Sequence, residues 1–403
     1  MSMKKRILFA EDDPLLMLLY GTMLREHRDE WEIVIVPDAQ QALQALEKAP
    51  FDVVVSDIIM PGMRGTELLN EVKRRYPRAS RIIISVLSEK DQVVRSLDGI
   101  HQFIAKPFDV RALKATLVRI CALDAYLKDD RLKALIGQMR TLPSFPSLYV
   151  AIMKEMDSPN SLIENVAAII AKDPGMTAKI LQIVNSVAIG LEHKVGSPFE
   201  AVEHLGFGTV RSLVLSAHIF SCFERTNLNG FSIDELWDHS MRSGTLARRI
   251  MELEQAEAVE VEEAYIAGML HDVGKLLLAD SLPEQFQQAL ALAAHRGIAL
   301  HDAELEVFGA THAGAAAYLL GLWGLPAPMV EAVAFHHTPQ TSETRALSPL
   351  TAVHAANVLE HELSKTKSPG RPAELNAAYL AGIGCKHRLD AWRAEAKKLV
   401  NPD

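Results

Sequence analysis

The sequence has few of the features that stabilise secreted or membrane proteins. Its three cysteines, Cys121, Cys222 and Cys385, are far apart and none forms a C-x-x-C pair, which argues against a disulfide framework or a cysteine zinc site. No apolar run is long enough to span a bilayer. The basic first residues precede a short apolar run that meets three acidic residues, unlike a signal peptide. We therefore expect a cytoplasmic protein with no membrane partner.

An excess of basic residues is also absent. Lys and Arg number 42 against 51 Asp and Glu, so the net charge is −9. Because nucleic-acid phosphates are bound by clustered Lys and Arg, this balance argues against a nucleic-acid partner. Hydrophobic residues make up 49% of the 403-residue chain, which is enough to build real cores. The length predicts two or three domains.

The most informative stretch is 51–65, where an apolar, β-branched run ends in Asp57 and breaks at Pro61. This pattern indicates a buried parallel strand. An earlier apolar run ends just before Glu11 and Asp12. Because open α/β sheets bind ligands at the carboxyl ends of their strands, we expect these carboxylates to converge. A hard cation such as magnesium relieves their repulsion, and a magnesium-bound carboxylate that faces solvent can accept a phosphoryl group.

Two further residues fit phosphoryl transfer. Ser85 and Lys106 each follow an apolar run of their own, and they supply a hydroxyl and a cation for the transferred group. The ordered set of acidic cluster, aspartate, hydroxyl and lysine resembles the receiver domain of two-component response regulators. The resemblance covers roughly the first 120 residues.

This resemblance implies a role for each residue and two kinds of partner. The implied phosphotransfer set is Asp57 as phosphoacceptor, Lys106, Ser85 and Phe103 as the switch aromatic. The implied magnesium ligands are Glu11, Asp12, Asp57 and the backbone carbonyl of Ile59. A sensor histidine kinase or a phosphotransfer protein would supply the phosphoryl group, and a downstream signalling protein would respond to it.

The hydrophobic pattern of residues 4–108 predicts a five-stranded, parallel, flavodoxin-like α/β domain. The predicted strands are 6–10, 32–36, 52–57, 81–85 and 101–105, and the predicted helices are 14–27, 38–48, 65–75 and 89–96. Asp13 is the expected N-cap of the first helix, with Pro14 at its first position. A further helix begins at Asp109. It either continues to 139, where it could pair two chains as a homodimer, or bends near Asp129.

After Pro143 the pattern is almost entirely helical. The predicted helices are 147–156, 161–171, 175–186, 198–204, 208–222, 233–253, 259–270, 283–295, 301–322, 326–336 and 348–363, with a final pair after Pro372. The motifs at 142–146, 169–174, 180–186, 201–206, 236–240, 267–275 and 322–326 resemble the HDOD domain, an all-helical relative of the HD phosphohydrolases. We therefore predict a receiver domain (1–123), a helical linker (124–140), an HDOD output domain (141–340) and helices that complete it (341–403).

The HD resemblance implies a metal site that this sequence only partly retains. His239, His271 and Asp272 match three ligands of active HD enzymes, whereas Asn357 stands where the family has a downstream aspartate. A neutral amide is a poorer ligand than a carboxylate. Three alternatives stay open: a hydrogen-bonded relic without metal, a metal held without turnover, and metal-assisted phosphoester hydrolysis.

Three later histidines could support a second metal, as in the cyclic-dinucleotide-cleaving branch of the HD enzymes. They are His312, His336 and His337, but the Gly-Tyr-Pro signature of that branch is absent. Adjacent helical residues point about 100° apart, so we expect at most one of His336 and His337 to face a site. Our leading interpretation is a response regulator that signals through protein contacts. The alternative is a phosphorylation-gated, metal-dependent phosphohydrolase acting on a nucleotide or cyclic dinucleotide.

Overall fold

The structure is a computed structural model of the 403-residue chain. It describes residues 4–76, 79–86, 102–106, 110–126, 147–156, 158, 161–172, 176–177, 180–181, 184, 195–221, 232–364 and 370–400. The chain forms two compact units, one built mainly on residues up to Phe145 and the other mainly on residues from Pro146. Among the described helices, none combines the length and the apolarity needed to cross a bilayer.

The first unit is built on a parallel sheet, as the sequence predicts. Its strands are Lys5–Ala10 (β1), Trp31–Val36 (β2), Val53–Asp57 (β3), Ser80–Val86 (β4) and Gln102–Lys106 (β5). They are hydrogen-bonded in the order β2-β1-β3-β4-β5, and every pair is parallel. In register, Asp57 lies beside Ile84 and Ser85 beside Ala105. The carboxyl ends of β1, β3 and β5 therefore meet at one edge.

Helices cover both faces of this sheet. The described helices are Pro14–Met23 (α1), Ala39–Lys48 (α2), Gly65–Arg75 (α3) and Val110–Tyr126 (α4). Alternate strand residues such as Leu8 and Val54 pack with α2 and α3 on one face. Their neighbours Ile7 and Val55 pack with α1 and α4 on the other. Both faces are therefore buried, which explains the nearly continuous apolar runs of the strands.

Helix α1 begins as predicted but ends early. Asp13 is its N-cap, with Oδ1 accepting a hydrogen bond from the Leu15 N–H at 2.8 Å, and a proline occupies the first turn. The helix stops at Met23 and a 3₁₀ turn, Arg25–His27, follows it, so the predicted helix to residue 27 is too long. Helix α4 is described as far as Tyr126. Its predicted continuation to 139, most of the linker and the predicted helices at 89–96 and most of 175–186 lie outside the described residues.

The second unit is helical in all its described elements. These are Ser147–Met156 (α5), Ile163–Ala171 (α6), Pro198–Ser221 (α7), Ile233–Leu253 (α8), Ala258–Leu270 (α9), Val273–Ser281 (α10), Pro283–Arg296 (α11), Leu300–Phe308 (α12), His312–Leu322 (α13), Ala327–Phe335 (α14), Pro349–Leu363 (α15), Ala377–Gly382 (α16) and Leu389–Val400 (α17). Gly206 has a non-helical φ of 74° inside α7. The position matches the predicted break between residues 204 and 208.

Two sequence-based predictions for this unit are wrong. The predicted helix 301–322 is two helices, because Gly309 adopts a left-handed φ of 75° and ends α12. This break places His312 at the start of α13. Helix α10 was not predicted. It follows α9 after only His271 and Asp272, and Asp272 has a φ of −102° and a ψ of 1°.

Two glycine contacts bring the elements of the histidine-rich region together. A Cβ on Gly268 of α9 would lie 2.7 Å from the Cα of Gly244 on α8, so glycine at both positions lets these helices cross closely. A Cβ on Gly274 would lie 1.9 Å from the His312 backbone oxygen. The start of α10 therefore lies directly against the start of α13. These approaches put His239, on α8, near the residues that follow α9.

Candidate functional sites

The first candidate site lies at the carboxyl edge of the parallel sheet. The Nζ of Lys106, at the end of β5, is 2.7 Å from Asp57 Oδ2 and 3.3 Å from Glu11 Oε2. Carboxylate oxygens of Glu11, Asp12 and Asp57 lie within 4.8 Å of one another. The structure thus brings together the four residues that the sequence placed at three separate strand ends.

The electrostatics of this site fit a divalent cation bound by oxygen. Burial and the negative charge of Asp57 raise the pKa of Glu11, although Lys106 opposes the shift. Burial disfavours the charged form of Lys106, but its contacts with Asp57 and Glu11 outweigh that effect and raise its pKa. Three carboxylates with only one described ammonium leave negative charge that a magnesium ion would neutralise. Receiver domains in general bind magnesium at this place.

One residue of this site was missed by sequence reasoning. The Tyr20 hydroxyl, on α1, donates a hydrogen bond to Glu11 Oε2 at 3.1 Å. Burial and the nearby Glu11 raise the pKa of Tyr20, so the hydroxyl keeps its proton and orients the carboxylate. Tyr20 lies within an apolar stretch of the sequence, where an aromatic residue is usually core. Only the geometry identifies its polar contact.

For two of the remaining predicted receiver residues, the structure describes only the backbone. Ser85 lies on β4 and Phe103 on β5, but their side chains lie outside the described set. Ile59 follows β3 and is 58% exposed, at the same end of the strand as Asp57. The Asp57 Oδ1 accepts a hydrogen bond from the Ile58 N–H at 2.7 Å. The roles assigned to Ser85, Phe103 and the Ile59 carbonyl stay predictions.

The second candidate site is a buried histidine cluster around Asp272. Four imidazole Nε2 atoms approach this carboxylate, two on each oxygen. His239 and His271 lie 3.6 and 3.5 Å from Oδ2, whereas His312 and His336 lie 3.1 and 3.8 Å from Oδ1. The side chain of Asp272 is 1% exposed. A buried carboxylate in such surroundings must be paired or metal-bound, because burying it alone is costly.

Outer hydrogen bonds fix the orientation of all four rings. His239 Nδ1 is 2.5 Å from Glu360 Oε2, and His312 Nδ1 is 2.6 Å from Glu304 Oε2. His271 Nδ1 is 2.7 Å from the Gly268 carbonyl oxygen, and His336 Nδ1 is 2.8 Å from the Val333 carbonyl oxygen. Because carboxylates and carbonyls accept, each Nδ1 carries the proton. In a neutral ring Nε2 then presents a lone pair towards Asp272, as in histidine metal ligands.

Burial keeps most of these rings neutral. It lowers the pKa of His271 to about 4, helped by the nearby His239 and Lys275. Burial and the neighbouring histidines also lower the pKa of His336 and His337 well below the usual value. His312 differs, because Glu304 and Asp272 outweigh its burial and raise its pKa. Neutral imidazoles are the form that binds metal ions.

The expectation for His336 and His337 is wrong. His336 is fully buried, and its ring centroid is 3.9 Å from that of His337. Both residues belong to a set with Asp272 and His312 whose ligand atoms lie within 4.8 Å of one another. Helix α14 ends at Phe335 and His336 caps it with a φ of −59° and a ψ of −23°, and the two rings converge although the backbone there is still close to helical. Both rings can therefore face one site.

Asn357 lies on the α15 face that supports the cluster. It stands three residues before Glu360, which contacts His239, and four before His361, whose ring stacks on His239 at 4.2 Å. Asn357 is 1% exposed, and neither atom of its amide has a hydrogen-bond partner among the described residues. A buried amide with both atoms unpaired is costly. It therefore marks a place where a ligand or an ion would be favoured.

Sequence reasoning missed the two carboxylates that orient the rings. Glu360 contacts both His239 and the Nε of Arg242, at 2.6 Å. Glu304 accepts from the backbone N–H of His312, at 2.8 Å, as well as from its ring. A usable signal existed for Glu360, because it follows Asn357 by three residues in a predicted helix and so shares its face. No comparable signal marked Glu304.

The donor set of the cluster fits a transition-metal ion. The His239 and His271 Nε2 atoms are 3.1 Å apart, and so are those of His312 and His337. Nε2 atoms at this distance repel unless a proton or a cation lies between them. His336 Nε2 and His337 Nδ1 have no hydrogen-bond partner among the described residues. Imidazole ligands with one carboxylate suit zinc, iron or a similar ion better than magnesium.

Comparisons with known proteins agree with this two-part architecture. The family model "Response regulator receiver domain" matches residues 7–118, and the model "HDOD domain" matches residues 142–339. The response regulator protein FleR of Pseudomonas aeruginosa is 34% identical over 119 residues, 29% of this chain and 24% of FleR. An uncharacterized protein of Treponema pallidum is 25% identical over 196 residues, 49% of this chain and 37% of that protein.

A solved structure supports the fold of the helical unit. An HDOD domain protein of unknown function from Geobacter sulfurreducens superposes with a TM-score of 0.54 at 20% identity. The match covers 67% of this chain and 97% of that protein. The match to the receiver model precedes the match to the HDOD model along the sequence, in the order predicted. The chain therefore carries an N-terminal response regulator receiver domain followed by an HDOD domain.

Proposed function

We propose that this chain is the response regulator of a two-component phosphorelay and that phosphorylation of Asp57 switches its HDOD domain. The observation that carries the proposal is the position of Asp57. It lies at the end of β3, contacts Lys106 at 2.7 Å and adjoins the carboxylates of Glu11 and Asp12. Its side chain is 14% exposed, so a donor can reach it.

The chemistry follows from these contacts. An Asp57 carboxylate oxygen attacks the phosphorus of a phosphohistidine, the P–N bond breaks, and an acyl phosphate forms. Lys106 neutralises negative charge on the transferred phosphoryl group. The Ser85 hydroxyl would donate a hydrogen bond to one of its oxygens. Magnesium held by Glu11, Asp12, Asp57 and the Ile59 carbonyl would supply further charge neutralisation. A small-molecule donor such as acetyl phosphate, added with magnesium, tests this reaction on the full chain.

The output proposed for the HDOD domain is an altered contact with a protein partner. A local change of charge can bias packing between two arrangements, and the signal then passes to whatever binds one of them. The partners are a histidine kinase or phosphotransfer protein upstream and a signalling protein downstream. Pairing of two chains through the helix predicted at 109–139 is a further part of this proposal.

The Asp272 cluster favours a second candidate function, metal-dependent hydrolysis of a phosphoester. Five histidines and Asp272 offer two sets of ligand atoms from which a metal would be held, and a bound metal would supply an activated water and neutralise phosphate charge. Glu304 and Glu360 keep His312 and His239 in orientation, and burial excludes bulk water. The missing downstream aspartate, replaced by Asn357, lowers the negative charge of the site.

Hydrolysis is tested with the full chain, a panel of phosphomonoesters, nucleotides and cyclic dinucleotides, and added zinc, manganese or iron. This function predicts turnover that a chelator removes and that Asp272→Asn reduces by about 100-fold or more, because this carboxylate lies against both histidine pairs. Asp302→Asn, at an exposed aspartate that is not among the candidate ligands, is the matched control. A panel without turnover under every metal contradicts the second candidate and leaves the response-regulator proposal intact.

A further inference from the structure

Among the described residues, a lysine ammonium contacts one of the two Asp272 oxygens and not the other. Oδ2 already contacts a cation, because the Lys275 Nζ lies 2.5 Å from it. Lys275 is one turn into α10, and its side chain is 12% exposed. His239 and His271 approach the same oxygen at 3.6 and 3.5 Å. This half of the cluster, the Lys275 half, therefore holds its own positive charge.

The opposite half contains the unpaired ligand atoms. His312 and His336 approach Oδ1 at 3.1 and 3.8 Å, and His337 Nε2 is 3.1 Å from His312 Nε2. His336 Nε2 and His337 Nδ1 lack hydrogen-bond partners among the described residues. No described lysine or arginine forms an ion pair with Oδ1. This half, the three-histidine half, therefore has unpaired imidazole nitrogens and no lysine or arginine on Oδ1 among the described residues.

We propose that Lys275 acts as an internal cation that restricts the centre to one divalent ion, bound in the three-histidine half. The proposal rests on the metal centre described under Proposed function and adds which half is loaded. The Lys275 ammonium already occupies Oδ2, and a metal ion placed directly beside it in the same half would be repelled strongly, since Coulomb energies grow as the effective dielectric constant falls. A second ion beside His239 and His271 would have to displace the Lys275 ammonium from Oδ2.

The nature of the ion follows from the donor atoms. Three imidazoles and one carboxylate oxygen form a nitrogen-rich set, which suits zinc and the neighbouring transition metals. The receiver site, with oxygen ligands only, suits magnesium. One chain would therefore hold two different metals at two chemically distinct sites.

The test counts zinc in the full chain carrying Asp57→Asn, with magnesium in excess so that the receiver carboxylates do not take up zinc. Chelator-stripped protein is loaded with zinc, desalted and analysed by elemental mass spectrometry. We expect one zinc per chain in this parent and two after Lys275→Met, which keeps the length of the side chain and removes its charge. Lys275→Arg, which keeps the charge, should still bind one.

Several outcomes overturn the proposal. Two zinc ions in the parent, or one in a folded Lys275→Met variant, would show that Lys275 does not restrict occupancy. If Lys275→Met fails to fold, the assignment to one half is tested with the lysine in place. His336→Ala should then abolish zinc binding, whereas His239→Ala should retain it, and the reverse result contradicts the proposal. A parent without zinc would refute the metal centre itself, whereas one zinc in both parent and Lys275→Met would refute only the role of Lys275.

Discussion

Replacing Asp57 with asparagine is expected to reduce phosphoryl labelling of the full chain by acetyl phosphate to background. The amide of asparagine is a poor nucleophile and carries no charge to pair with Lys106, which lies 2.7 Å from the native carboxylate. The neighbouring Glu11 is not expected to replace it. Glu11 is 2% exposed and hydrogen-bonded to Tyr20. The measurement is intact mass spectrometry after incubation with donor and magnesium.

Asp52→Asn is the matched control for this substitution. Asp52 precedes the other end of β3, where it contacts Lys5 at 3.0 Å and accepts a hydrogen bond from the Arg6 backbone N–H. The change removes the same charge, but from the residue before β3, at the amino edge of the sheet. The control should label like the native chain. Labelling that survives Asp57→Asn, or that is lost equally in both variants, contradicts the assignment of the phosphoacceptor.

A second large effect is expected from Gly274→Ala, because it tests the contact that joins α10 to α13. The new Cβ would lie 1.9 Å from the backbone oxygen of His312, so one helix start must move. Both are packed in a buried region, since Asp272 and His312 are fully buried. Overpacking of this kind costs typically about 1–3 kcal/mol and occasionally more, and a backbone obstacle favours the upper end of that range.

The measurement for Gly274→Ala is the urea midpoint of the helical transition, followed by far-ultraviolet circular dichroism on the full chain. Gly382→Ala, on α16, is the control, since a Cβ there meets nothing within 4 Å among the described residues. That control should be neutral or gain up to about 1 kcal/mol from helix propensity. A midpoint for Gly274→Ala that equals the control would contradict the close approach, and with it the geometry of the Asp272 cluster.

The receiver fold and most of its site could be predicted from sequence because the information is local. Buried β-branched runs mark the strands, and each ends at a residue that the parallel topology delivers to the same edge. Asp57 and Lys106 are 49 residues apart but need only strand ends to meet. Tyr20 could not be predicted in this way, because its contact with Glu11 depends on how α1 packs against the sheet.

The histidine cluster was less predictable because it depends on packing between distant helices. His239 and Glu360 are 121 residues apart and on different helices, and no local pattern links them. The pair His336 and His337 was misjudged because the 100° rule describes only the direction in which each side chain leaves the backbone, whereas both rings reach the same set of ligand atoms. Helix α10 was missed because only two residues separate it from α9, and those two residues are the doublet His271 and Asp272.

The proposed function requires that the state of Asp57 be transmitted to the HDOD domain. Hydrogen–deuterium exchange on the full chain, with and without beryllofluoride and magnesium as a phosphoryl mimic, tests it most directly, because exchange reports local opening along the whole chain. We expect altered exchange in peptides of 4–126 and also within 142–364, with both changes absent in Asp57→Asn. Changes confined to 4–126 would show that the receiver is activated without switching the helical domain, and would contradict the claim.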